Sequence, residues 1–172
     1  DYYVTYRTNA AGYWHGRVIY WTPEESPPQR TRACEYSYKY GNLHGEYIVY
    51  YTDGKTIYER GTFRNGMRNG DTHVYNIDGS LFARCTFRYG KLNGNFTWWQ
   101  TAPRRHIAEV TMCSNDIPVF KHSYNRHGGI DNEEYYDECG TCTKKVTYVR
   151  EEGRCKITWD DCVAHTSVTY EV

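Results

Sequence analysis

The chain is poor in the residues that build helical cores: its 172 residues include three leucines and two methionines, and helix start and stop signals are nearly absent. That scarcity argues against a helix bundle. No apolar run approaches the roughly 18 residues that a membrane-crossing helix needs, so no membrane span is predicted. An excess of either charge is missing as well. The 21 basic and 21 acidic residues cancel, which removes the electrostatic footprint of sequence-independent nucleic-acid binding and argues against nucleic acid as a partner. No charged-then-apolar leader is visible at the N-terminus, which starts at Asp1, as expected of a processed, secreted chain.

Aromatic residues are abundant instead. Nineteen tyrosines and five tryptophans place the apolar area in flat amphipathic rings, which favour strands. Many of them recur in one pattern: Ser/Thr, aromatic, basic, variable, Gly, three residues, Gly, four residues, aromatic. The copies are Ser37-Tyr38-Lys39-Tyr40-Gly41 with Gly45 and Tyr50, Thr62-Phe63-Arg64-Asn65-Gly66 with Gly70 and Tyr75, and Thr86-Phe87-Arg88-Tyr89-Gly90 with Gly94 and Trp99. A looser first copy keeps Gly12, Gly16 and Trp21, with its leading strand upstream at Thr5-Tyr6-Arg7. Successive first glycines are 29, 25 and 24 residues apart, a period of stacked supersecondary units that cannot bury an apolar face alone. Between the glycines, runs such as Tyr47–Tyr51 and Phe96–Trp99 read as strands. Asp53-Gly54 and Asp78-Gly79 mark hairpin turns, since Gly accepts positive φ. Longer loops are expected at Thr22–Pro28 and Thr101–Arg105, where that dipeptide is missing.

The stretch Tyr40-Gly41-Asn42-Leu43-His44-Gly45-Glu46-Tyr47-Ile48-Val49-Tyr50-Tyr51-Thr52-Asp53-Gly54-Lys55 resembles the MORN repeat. The resemblance is good over residues 36–100 and partial over 5–35. It implies a curved or extended β-hairpin sheet serving as a binding or scaffolding surface, with no catalytic residue carried by the repeat. The expected fold class is therefore all-β: an antiparallel β-hairpin meander of about four MORN-like repeats over residues 1–115, followed by a cysteine-bearing C-terminal β module over 116–172. That module is expected to cap the stack, with strands at Lys145–Val149, Lys156–Trp159 and Ser167–Tyr170.

Strand parity divides the rings into two sets. Trp21, Tyr50, Tyr75 and Trp99 are expected to form the repeating core ladder. Trp14, Tyr20, Tyr47, Tyr51 and Trp98 are then the candidates for an open platform that holds the apolar face of a sugar. His15 and His44, with Asn69 and Asn93 at matching positions, precede the second glycine. Turn chemistry accounts for them, and their alignment along one edge makes a second candidate recognition strip. No nucleophile-elbow or zincin motif is present, so neither an enzyme nor a cofactor is expected. The expected function is secreted, lectin-like recognition of a glycan or glycoprotein; the alternative is a protein–protein scaffold whose spare aromatic face drives self-assembly.

Seven cysteines suggest disulfides in an oxidising compartment. Cys139, Cys142, Cys155 and Cys162 are spaced C-x2-C-x12-C-x6-C, and two disulfides are favoured over a zinc site in which His165 could replace one thiolate. An odd count leaves one thiol, which is either inert or bonded to a second chain in a homo-oligomer. Asp131, Glu133, Glu134, Asp137 and Glu138 form an acidic run expected to be a solvated loop. Asn95-Phe96-Thr97 is an N-glycosylation acceptor sequence.

Overall fold

The computed structural model describes residues 3–23, 30–101, 105–151 and 154–171. The longer loops expected at 22–28 and 101–105 fall largely outside them. The described chain is all-β, one antiparallel sheet in which strands pair in chain order. Its first strands are β1 (Tyr3–Thr5), β2 (Gly16–Trp21), β3 (Arg32–Lys39), β4 (Asn42–Tyr50), β5 (Ile57–Arg64), β6 (Met67–Arg68), β7 (Gly70–Tyr75) and β8 (Leu81–Arg88). There follow β9 (Lys91–Leu92), β10 (Gly94–Gln100), β11 (His106–Ser114), β12 (Ile117–Tyr124), β13 (Ile130–Tyr136), β14 (Cys142–Glu151), β15 (Arg154–Asp161) and β16 (Thr166–Glu171). Two compact units divide the chain, Asp1–Lys91 and Leu92–Val172.

The glycine pattern explains the meander. In Tyr40-Gly41, Asn65-Gly66 and Tyr89-Gly90 both residues have positive φ, between 52° and 81°, the two-residue type I′ geometry whose twist matches that of the flanking strands. The glycine N–H of each turn donates to a carbonyl of the preceding hairpin: Gly41 to Trp14 at 2.9 Å, Gly66 to Leu43 at 2.8 Å and Gly90 to Arg68 at 2.9 Å. Consecutive repeats are thereby stitched turn to turn. The second glycine is a bulge. Gly45 and Gly70 have φ of 104° and 94°, and a Cβ there would lie 3.1 Å from Ser37 Cβ and 3.0 Å from Thr62 Oγ1. This close approach links the Ser/Thr that opens each copy to the glycine that follows. The Thr62 hydroxyl also donates to the carbonyl of Asn69, just before Gly70.

Asp-Gly turns join the hairpins at their other ends. Asn76 N–H donates to Ser80 C=O and Gly79 N–H to Asn76 C=O, a type I turn closed by a left-handed glycine. Identical pairs of bonds occur at Asn125/Gly129 with Gly128/Asn125, and at Asp137/Thr141 with Gly140/Asp137. Residues 116–172, expected to cap the stack, add β12–β16 to the meander, and the same turn chemistry joins β12 to β13 and β13 to β14. The three strands expected in that region are β14, β15 and β16. The acidic run is corrected in part: Asp131, Glu133 and Glu134 belong to β13, where each finds a cross-strand or local donor, while Asp137 and Glu138 lie in the turn that follows.

The core ladder also needs correction. In the N-terminal unit the buried apolar side chains Val18, Tyr47, Ala83 and Cys85, with Thr72, lie on the face opposite Tyr50 and Tyr75. Register places Val18 across from Tyr36, Tyr36 from Tyr47, and Tyr47 from Gly61. Tyr47 lies over Gly61, where any Cβ would come within 2.8 Å of its ring. A large ring opposite a side-chain-free strand position buries itself within a single layer. Tyr36 stacks on Tyr47 at 5.8 Å, Phe63 packs at 5.0 Å, and the Arg68 guanidinium lies 5.4 Å from the Tyr47 ring. The Tyr47 hydroxyl donates to Glu59, which Arg68 neutralises at 2.9 Å.

In the C-terminal unit, Val146 is the most deeply buried apolar side chain. Its face carries Phe120, His122, Tyr135, Lys144 and Trp159. The opposite face carries a row of alternating charge: register aligns Lys121, Glu134, Lys145 and Asp160 on neighbouring strands. Glu134 is shared by Lys121 at 3.2 Å, Lys145 at 3.3 Å and the Tyr136 hydroxyl at 2.7 Å.

Candidate functional site

The positions one, three and five residues after each second glycine share a face. In the N-terminal unit they are Arg17, Ile19 and Trp21; Glu46, Ile48 and Tyr50; Asp71, His73 and Tyr75. Register joins them across strands into a continuous row, Ile19–Glu35–Ile48–Arg60–His73–Arg84. This face is therefore polar, ringed and periodic.

Glu35 anchors it. Only 4% exposed, its carboxylate is paired with Arg17 at 3.1 Å and Arg32 at 3.0 Å and accepts the Tyr50 hydroxyl at 2.9 Å. A buried carboxylate with two guanidinium partners is satisfied and holds its neighbours in place. Arg32 also covers the Tyr50 ring at 4.8 Å.

On either side of this anchor the face opens. One cleft, about 370 Å³, has Ile48 and Ile57 as its apolar floor and Glu46, Arg60, Asp71 and His73 as its polar rim. Asp71 is held by Arg84 at 2.5 Å and Thr86 at 2.7 Å, and the Thr86 hydrogen bond, with Arg84, keeps its carboxyl below the ordinary range. Burial, reinforced by Arg60 and Arg84, pushes the His73 imidazole below its usual value, so at neutral pH it is an uncharged donor and acceptor. Arg60 lies 5.5 Å from the Tyr75 ring. The second cleft, about 550 Å³, is lined by Tyr6, Arg7, His15, Arg17 and Ile19 among others. Both use the same repeat positions, one and three residues after a second glycine.

The nominated site residues separate. Tyr47, 2% exposed, is core and leaves the platform. Trp14 is half-buried between Tyr6 at 5.3 Å and Tyr38 at 5.1 Å, and the Tyr20 hydroxyl bonds that of Tyr38 at 3.2 Å. Tyr51 donates to the Tyr75 carbonyl at 2.7 Å. Trp98, in the C-terminal unit, is half-buried. His44 meets Asn65 of the next turn at 3.3 Å. His15 lines a cleft. The residues that build the 370 Å³ cleft, Arg60, Asp71 and His73, were not singled out; their signal was their constant offset from the glycines.

Of the four clustered cysteines, Cys142 and Cys162 are brought together, with sulfurs 3.3 Å apart. Cys155 pairs with Arg150 at the far end of the β14–β15 hairpin, and Cys139 is exposed in its turn. The expectation of two disulfides within this set is corrected to one juxtaposed pair. Burial pushes the Cys85 thiol up to about 11 and raises those of Cys34 and Cys113. Among the described residues no cluster of metal-ligating side chains occurs, and no helix is long and apolar enough to cross a membrane.

No family model and no curated protein matches the chain. A structure of a TarM variant from S. aureus, in complex with Fondaparinux, alpha-GlcNAc-glycerol and UDP, is similar at a TM-score of 0.42 and 12% identity over 57% of this chain and 19% of that one. Another TarM structure gives a TM-score of 0.42 and 14% identity over 58% and 19%. The chain spans about a fifth of those proteins, and likeness at this level identifies neither family nor activity.

Proposed function

We propose that this chain is a secreted, non-enzymatic recognition protein built of MORN-like repeats, and that its ligand is carbohydrate. The observation carrying this reading is the recurrence of open clefts at equivalent repeat positions on the polar face of the N-terminal unit. Each sets isoleucine beside polar groups, Glu46, Arg60, Asp71 and His73 in one and Arg7, His15 and Arg17 in the other, the chemistry that hydroxyl-rich rings require. Tyr50, paired with Ile57, and Tyr75, stacked on His73, stand beside the 370 Å³ cleft as amphipathic walls. Two weak, equivalent sites on one scaffold favour a polymeric glycan through avidity. Binding to immobilised polysaccharides tests this: Arg60→Ala and Asp71→Asn should each weaken retention at least tenfold with an unchanged far-UV spectrum. A flat response to every glycan sinks the reading.

A separate observation favours self-assembly as the second reading. On the last hairpin, register places Trp159 opposite Val168 and Ile157 opposite Tyr170, and Trp159, Val168 and Tyr170 are exposed. Such a patch suits a second copy. Solution mass with and without reductant tests this reading, and a monomer under both conditions removes it.

A further inference from the structure

We infer that Cys142 and Cys162 are an oxidative modification site: they close to a disulfide tying the start of β14 to the turn after β15, while the other cysteines remain thiols. The backbones are already in place. Cys162 N–H donates to Thr143 C=O at 3.1 Å, one rung beyond the Lys144–Asp161 pair that ends the ladder. The turn that follows is itself fixed, with Asp161 Oδ1 accepting Val163 N–H at 2.9 Å and Ala164 N–H at 2.8 Å. From sulfurs 3.3 Å apart, a bond of about 2.05 Å needs only a small side-chain rotation.

Other pairings within the cluster lack this geometry. Cys155 lies seven residues from Cys162 along β15, which is about 23 Å at the rise of an extended strand. The adjoining Cys142 sulfur, and burial to a lesser degree, push the Cys162 thiol above its ordinary value. Reduced Cys162 is therefore a sluggish nucleophile, suited to a structural bond and not to catalysis. Closure proceeds by exchange with a low-molecular-weight disulfide such as oxidised glutathione. One cysteine thiolate attacks a sulfur of that disulfide and releases a small thiolate. The second cysteine thiolate attacks the mixed disulfide and releases the other. Two protons leave the protein and two electrons pass to the small disulfide.

The bond has a local consequence. Thr143, Lys144, Trp159, Asp161, Thr166 and Val168 line a cleft of about 210 Å³, and the Lys144 ammonium lies 3.8 Å from the Trp159 ring centroid. The cross-link closes a segment with a sequence separation of 20 residues and fixes the cleft wall formed by the β15–β16 turn.

The test uses the full chain, equilibrated in oxidised and reduced glutathione, alkylated and mapped by mass spectrometry. The expected result is a Cys142–Cys162 cross-linked peptide two hydrogens lighter than its parts, with the remaining five cysteines alkylated. Reductant should then lower the thermal midpoint of the wild type by several degrees, without shifting Cys142→Ser. Full alkylation of both cysteines in oxidising buffer, or a cross-link joining either one to Cys139 or Cys155, overturns the inference. The wild-type map decides it even if the variant fails to fold.

Discussion

The two units share one hairpin geometry and differ in what lies across it. In the N-terminal unit, rings are passed from strand to strand, with Tyr36, Tyr47 and Phe63 gathered over Gly61. In the C-terminal unit the comparable lateral connection is ionic, with Lys121, Glu134 and Lys145 in one row. Nearest-neighbour cross-strand pairs carry a meander, so the lateral chemistry can change without changing the fold. What must persist is the turn. Accordingly the left-handed turn residue recurs at Gly54, Gly79, Gly128 and Gly140, although the longer repeat consensus fades after residue 115.

The comparison is broken most severely at Tyr47. Tyr47→Ala should cost about 3–5 kcal/mol in urea denaturation, against about 1–3 kcal/mol for Val146→Ala in the other unit; equal costs would deny the ring cluster its special weight. Next comes Gly61→Val, which forces a side chain into Tyr47 and Thr72 and should cost about 1–3 kcal/mol through overpacking. A tolerated valine would show that the ring does not need that strand position bare.

The ionic row is sharpened by pH. The Tyr136 hydrogen bond, then Lys121 and Lys145, holds Glu134 below its unfolded value of 4.5. Its stabilisation is therefore complete above that value and is lost as the pH falls through the lower folded one. Partial exposure limits this to about 1 kcal/mol, and Glu134→Gln should flatten this part of the acid stability curve. An unchanged curve would remove the ladder from the account. The smallest effect is expected for His44→Ala, within about 0.5 kcal/mol, measured by thermal unfolding, because its bond to Asn65 supplements a turn already held by the Gly66 N–H.

Much of the fold was legible because its signals are local. Paired glycines with three residues between them place a type I′ turn and a bulge on one strand, and alternating rings show the strand between them. The C-terminal continuation was harder to see, since Asn125–Gly128 and Asp137–Gly140 keep the turn chemistry without the aromatic consensus. The candidate site was legible only in part. His15 was nominated and lines a cleft, while Arg60, Asp71 and His73 carried only their offset from the glycines and acquired meaning from neighbours on other strands. Parity correctly separated Tyr47 from Tyr50, and the wrong side was assigned to the core.

By itself, the sequence determined strands, turns and their antiparallel succession, because positive φ and two-residue alternation depend on adjacent residues. Tertiary structure decided which side buries its rings, where clefts open and which cysteines meet. Those outcomes depend on cross-strand register and on the volume opposite each side chain: Tyr47 sinks because Gly61 lies across from it, and Cys142 finds Cys162 because the β14–β15 ladder brings them side by side.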